Sequence, residues 1–398
     1  MSNSEQPLRF LPPNNPVQRV NPDLLAHLVA AQNNVLESQF ANAAQLYAKV
    51  FNDLRLSLDV PAHLEDTTPQ EASDRPLAQL MEVFVPILAD ADIVGPTARI
   101  HAANLAQRTH LIRAFEQPDA VLQQVTSKVE EVVRSFPHEA SDIERGRNPG
   151  DVLDPYILTA AQILLYGGNF QNAIGATVAH KALMIVEGLM GHLHEDVIGM
   201  MRGNVRAPEP RGFNQELIDP HDNPFPGADI VQPPIGANDS LRFHQVKSKT
   251  GSAKGGDGKR LGDQLSRLRQ YYRADVFYDA LIGNTLRGHR SMRGVLNSEP
   301  EAVVLVGDAA FRELTRSKIG PELLLRVYQS AFSEAADKTG YRIEAMAAGI
   351  VSTFRARAKE AGEGYLELLL SNSIMTNPDQ QDSRSFNPPS RSRPQSKS

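Results

Sequence analysis

The amino-acid sequence predicts an α/β protein: a small mixed-sheet core, a large α-helical N-terminal half and a C-terminal helical segment. Three observations predict it. Apolar residues recur at helical spacing through most of the first half of the chain. Between about 228 and 306 the pattern changes to short apolar runs bounded by Gly, Pro, Asn or charged residues, which is how buried strands read. From 321 to about 370 helical spacing returns.

In chain order, residues 1–20 are polar and proline-rich and are expected to form a loose arm. Asn21-Pro22-Asp23 starts a helix, with Asn able to cap, Pro at the first position and an acid in the first turn. Leu25, Leu28, Leu36, Phe40, Tyr47, Val50 and Leu54 then continue at helical spacing. Further helices are expected over about 76–89, 97–115, 119–135, 155–166 and 171–202, so 21–205 reads as an α-helical region. The stretch 206–226 holds Pro208, Pro210, Pro220, Pro224 and Pro226 and reads as a linker. Strands are expected at 228–231, 241–248, 276–282 and 302–306, with a helix at 262–272. That defines a core over 227–310, with helix 171–202 packed on it. Residues 311–375 read as helical. The tail 376–398, rich in Ser, Pro and Arg, has nothing to bury and reads as disordered.

Composition narrows the function classes. The 398 residues carry 41 Lys+Arg and 47 Asp+Glu, a net charge of −6, with 41% hydrophobic residues. Those values exclude collagen-like, coiled-coil and wholly disordered chains. Cysteine is absent, which excludes disulfides, Cys-ligated zinc, iron–sulfur clusters and Cys nucleophiles. The N-terminus has no basic-then-apolar secretory pattern, and no apolar run reaches the roughly 18 residues of a membrane span. The expectation is a cytoplasmic protein with no membrane partner. A balanced charge argues against nonspecific coating of nucleic acid but allows a local basic cleft.

The chemistry concentrates in Pro226-Gly-Ala-Asp229-Ile-Val and Phe243-His-Gln245-Val-Lys247-Ser-Lys249. Asp229 opens one strand. Gln245 and Lys247, two apart on the next, share a face. A carboxylate, an amide oxygen and an ammonium at one end of a sheet suit Mg²⁺ and an oriented water, the parts needed for phosphodiester hydrolysis. This arrangement resembles the PD-(D/E)XK nuclease superfamily, the fold of most type II restriction endonucleases, over roughly 180–310. The text from Gln245 to Arg293 further resembles restriction enzymes of the ApaLI type. Asp229 takes the place of the motif Asp and Lys247 that of the motif Lys. Gln245 stands where Glu is usual, a departure that removes a charge from the metal site. The resemblance implies a restriction-endonuclease-like fold and Mg²⁺ held by Asp229, Gln245 and the Val246 carbonyl. Lys247 would position the water, and a homodimer would cut a short palindrome in double-stranded DNA. A DNA-binding protein with a disabled core is the alternative. Some members place an extra acid from the preceding helix at the metal, and Glu187 is the residue nominated for that role. His192 and His194, two apart on a helix, point in different directions and do not form a joint zinc site.

Basic charge gathers beside this motif. Residues 242–293 hold twelve Lys/Arg and four acids, a net of +8 within a chain of −6, which leaves −14 elsewhere. Lys249, Lys254, Lys259 and Arg260 are expected to follow DNA phosphates from a glycine-rich loop. Its Gly258-Lys259 is followed by Arg260 and not Ser or Thr, so it is not a nucleotide-binding P-loop. Arg287, His289, Arg290 and Arg293 are expected to read base edges from a loop between two strands.

Overall fold

The computed structural model describes residues 11, 21–145, 155–208, 224–236, 239–250 and 257–340, with single positions beyond at 348, 351–352, 355–356, 359–360, 362, 364 and 370. Most of the arm 1–20, part of the linker (209–223), the glycine-rich residues 251–256 including Lys254, and the tail 376–398 lie outside the described residues. The chain forms two compact units. The first comprises 1–130 and 187–338, the second 131–186 and 339–398.

The first unit begins with helices α1 (Pro22–Asn33), α2 (Leu36–Gln39) and α3 (Ala43–Asp53). Asn21 caps α1 as the sequence predicts, its side chain accepting the Leu24 N–H at 3.0 Å. The helical spacing that runs on to Leu54 is divided among three helices. The breaks fall at Asn34 and at Phe40 to Asn42, where Asn42 caps α3 with its own side chain. Next come α4 (Pro69–Ser73), α5 (Leu77–Asp90), α6 (Gly95–Ala114) and α7 (Pro118–Arg145). Leu46, Tyr47, Phe51, Leu80, Phe84, Leu88 and Leu105 form a helical core, in which the Tyr47 and Phe84 rings pack at 4.9 Å.

The described residues of the second unit are mostly helical. They include the end of α7, α8 (Pro155–Ala160) running into a π-helical turn (Ala161–Leu165), and the first part of α9 (Phe170–Gly199).

In the first unit the remainder of α9 leads to a five-stranded sheet in the order β1 (Val205–Arg206), β2 (Ile230–Gln232), β3 (Arg242–Lys249), β4 (Asp275–Ile282), β5 (Val303–Val306). β1, β2 and β3 are antiparallel neighbours, whereas β3, β4 and β5 run parallel. Parallel neighbours need a crossover. Helix α10 (Asp257–Tyr272) supplies it between β3 and β4, and α11 (Arg290–Ser298) between β4 and β5. Helices α12 (Asp308–Thr315) and α13 (Gly320–Thr339) follow. The mixed α/β architecture agrees with the sequence reading. Leu261, Leu265 and Leu268 of α10 pack with Phe225, Phe243 and Tyr278 in the sheet core.

Several details differ from expectation. Leu11, placed in the loose arm, is buried in the sheet core with Leu24 and Leu28 of α1. Strand β1 straddles the expected boundary between the helical region and the linker, and Phe225 of the linker is fully buried against Phe243 at 5.1 Å between ring centres. Lys259 and Arg260 stand on α10, which starts before the predicted 262. Arg290 and Arg293 stand on α11, where a loop was expected. Gly258, Gly262 and Gly294 lower helix propensity, and so hid the first turn of α10 and the whole of α11. They are needed for close packing: a Cβ on Gly262 would lie 2.7 Å from the Val295 carbonyl oxygen, and one on Gly294 would lie 2.8 Å from Gly258.

Candidate active site

Asp229 sits just ahead of β2 with its backbone tied to both neighbours. Its N–H donates to the His244 carbonyl at 2.8 Å, and its own carbonyl accepts the Ala207 N–H at 2.9 Å. The β2 pairing with β3 ends at His244. The Val246 N–H lies beyond it and donates to Asp229 Oδ2 at 2.7 Å, so the carboxylate satisfies a strand donor that would otherwise be buried unpaired. Gln245, buried on β3, brings its amide to the same oxygen at 2.5 Å. The Asp229 and Gln245 expected to converge are therefore in contact. The atom meeting the carboxylate is Nε2, however, and not the amide oxygen that the sequence reading assigned as a ligand.

Burial first, and then the Glu195 carboxylate, raise the Asp229 carboxyl to about 7. Lys247, the Val246 N–H and Arg206 act the other way. Glu195, near the end of α9, is raised by burial too, against the pull of Arg206, Lys247 and His192. The Glu195 carboxylate opposes ionisation of Asp229, and Lys247 favours the charged form of both, so positive charge at this place stabilises the pair. Glu195 is the functional candidate the sequence reading missed. Glu187, nominated instead, is exposed and pairs with Lys249 at 3.2 Å. A usable signal was present: acids near a helix C-terminus oppose its dipole, so Glu195-Asp196 is a costly placement that a role at a site explains. The two histidines do diverge as predicted. His194 Nδ1 meets the Tyr328 hydroxyl at 2.9 Å, and burial lowers its pKa to about 4. His192 lines a cavity of about 360 Å³ with Lys128, Asp196, Arg206, Ala207 and Pro208.

The basic residues divide into two groups. Lys249 pairs with Glu187, Lys259 with Asp263 at 2.8 Å and Arg260 with Asp257 at 3.7 Å. Arg242 pairs with Asp239 and Glu313, and Arg269 with Glu301. Lys249, Arg242 and Arg269 are thus matched by acids from outside 242–293, whereas Asp257 and Asp263 are already counted in the +8. Arg287, Arg290 and Arg293 are exposed and form no ion pair among the described residues, while His289 occupies the N-cap of α11. On the opposite face of β3, His244 Nδ1 and Asp279 Oδ2 lie 2.8 Å apart with both side chains fully buried.

No protein-family model and no curated protein matches this chain. Among the described residues no group of three or more His, Asp or Glu side chains is placed to hold a metal, and no helix is long and apolar enough to cross a membrane.

Proposed function

We propose that the protein is a Mg²⁺-dependent, sequence-specific endonuclease of the type II restriction kind, with a PD-(D/E)XK core centred on Asp229, Gln245 and Lys247. The observation that carries this reading is the contact of Asp229 with the Gln245–Val246 strand, with Lys247 and Glu195 acting on the same carboxylate. The donor set fits a hard divalent cation. Asp229 and Glu195 supply carboxylate oxygens in a partly buried setting that disfavours two unbalanced negative charges, and Mg²⁺ requires only one or two carboxylates besides water and phosphate. Asp229, Glu195, the Gln245 amide oxygen and the Val246 carbonyl would hold it. When bound, Mg²⁺ supplies Lewis-acid stabilisation of the charge that develops on the phosphate. Lys247 orients the attacking water, and Arg287, Arg290 and Arg293 engage the DNA. The proposal extends to a homodimer acting on a palindrome in the cytoplasm. Incubating a large DNA with Mg²⁺, and in parallel with EDTA, tests it. Discrete fragments with Mg²⁺ alone are expected, and intact DNA in both would end the endonuclease reading.

One observation favours a second reading, a DNA-binding protein with a disabled nuclease core. Asp229 Oδ2 already accepts two donors, one of them the Gln245 amide at the position where a catalytic Glu is usual. Salt-sensitive DNA binding without Mg²⁺-dependent cleavage would identify it.

A further inference from the structure

Glu195 is held by a chain of charges that reaches back into the helical layer. Arg206 donates from Nη1 to Glu195 Oε2 at 2.7 Å and from Nε to Asp196 Oδ1 at 2.8 Å. The other Asp196 oxygen pairs with Lys128 of α7. All four side chains are partly shielded from water, with Glu195 and Arg206 about one-fifth exposed. A close backbone approach makes this possible. A Cβ on Gly199, the last residue of α9, would lie 2.7 Å from the Arg206 Cβ, so only glycine lets β1 run directly against the helix end.

We infer that Arg206 is a positioning residue for the metal site: it fixes Glu195 by one oxygen, Oε2, and leaves Oε1 as the oxygen offered to a divalent cation beside Asp229. The inference rests on the nuclease reading of Asp229. A guanidinium forked between two carboxylates sets the rotamer of both, which a lysine ammonium does less well. Partners of this kind around a metal ligand alter affinity or activity by about 10–100-fold when removed. Charge alone predicts the opposite, because deleting a cation beside an acid pair should tighten Mg²⁺. The sign of the effect therefore separates positioning from simple repulsion.

The test titrates Mn²⁺, as a spectroscopic stand-in for Mg²⁺, into the full-length chain and follows free Mn²⁺ by electron paramagnetic resonance. The Mg²⁺ dependence of cleavage is measured in parallel. Arg206→Leu should weaken Mn²⁺ binding about tenfold or more and raise the Mg²⁺ needed for half-maximal cleavage to match. Arg206→Lys should recover part of the loss, and the KM for DNA should stay unchanged. If Arg206→Leu does not fold, Asp196→Asn loosens the same fork more gently and should weaken Mn²⁺ several-fold. Unchanged or tighter Mn²⁺ binding in the folded variants overturns the inference. Glu195→Gln separates the two levels. Weak binding in Glu195→Gln beside normal binding in the Arg206 variants sinks only the role of Arg206. Wild-type binding in Glu195→Gln, or no Mn²⁺ uptake by the unmodified chain, removes the metal-site reading itself.

Discussion

Asp229 is the partly buried acid at the centre of the candidate site, and two outcomes follow from its surroundings. The first concerns chemistry. Asp229→Ala and Lys247→Ala each remove a group proposed to act on the transition state, so each should abolish cleavage in a gel assay while DNA binding largely survives. Wild-type cutting by either would refute the site. The second concerns pH. Burial, aided by Glu195, raises the Asp229 carboxyl to about 7, well above the ~3.9 of an unfolded aspartate. Between those values the folded chain holds a proton that the unfolded chain has lost. The contribution of this group to stability is therefore fully present below about pH 4 and falls as pH rises towards 7. In EDTA, the wild-type melting temperature should drop between pH 5 and pH 8 by more than that of Asp229→Asn, in which the group no longer titrates. Equal drops in thermal melts of the two proteins would show that Asp229 ionises freely. The sequence made Asp229, Gln245 and Lys247 legible because residues two apart on a strand share a face. It did not reveal which amide atom of Gln245 faces Asp229, because nitrogen and oxygen are chosen by the donors and acceptors around them.

The elements bearing on DNA are α10 and α11, which cross over the parallel half of the sheet and pack through Gly258, Gly262 and Gly294. Their cations are not equivalent. Lys259 and Arg260 on α10 have acidic partners one turn away. Arg287, Arg290 and Arg293, at and on α11, are exposed without one among the described residues. A free guanidinium has no ion pair to break before it engages DNA, and on a helix its direction is fixed. Ala substitutions at Arg287, Arg290 or Arg293 should thus cost more affinity than substitutions at Lys259 or Arg260. Where one of them reads guanine, about 1–3 kcal/mol of discrimination should be lost. A phosphate contact instead lowers the salt slope by about one unit for every sequence. Titrations on cognate and scrambled duplexes at two salt concentrations distinguish these outcomes. Larger losses at Lys259 and Arg260 would reverse the assignment. Charge concentration was legible as a sum over 242–293. Its neutralisation was not, because Glu187, Glu301 and Glu313 come from distant parts of the chain.

At the scale of the whole first unit, the helical core and the sheet core are joined by a buried cation that no local pattern flagged. Arg202, 4% exposed, follows α9 and precedes β1. Its guanidinium donates to the Ile112 and Phe115 carbonyls at 3.0 and 2.9 Å, to Asn34 Oδ1 at 2.7 Å and to Gln39 Oε1 at 2.9 Å. It therefore ties α1, α2 and α6 to the approach of the sheet. Fold class was readable from periodicity, which is a local property, but this junction depends on residues brought together from 34 to 202, and a lone Arg after a helix reads as surface. Burial lowers the Arg202 pKa to about 10, which still leaves it charged at neutral pH. Because the acceptors are neutral, the guanidinium is held by charge-assisted hydrogen bonds, each worth about 1.5–3 kcal/mol. Arg202→Met keeps much of the volume and removes every donor, leaving buried oxygens unsatisfied. The expected cost is about 3 kcal/mol or more, seen as a lower urea midpoint. The loss should also uncouple the two cores. With no tryptophan in the chain, tyrosine fluorescence from Tyr47 in the helical core and Tyr272 and Tyr278 in the sheet core can be set against circular dichroism. Wild-type transitions for this unit should coincide, whereas those of Arg202→Met should separate. A variant that unfolds at the wild-type midpoint with coincident transitions would show that apolar packing alone joins the cores.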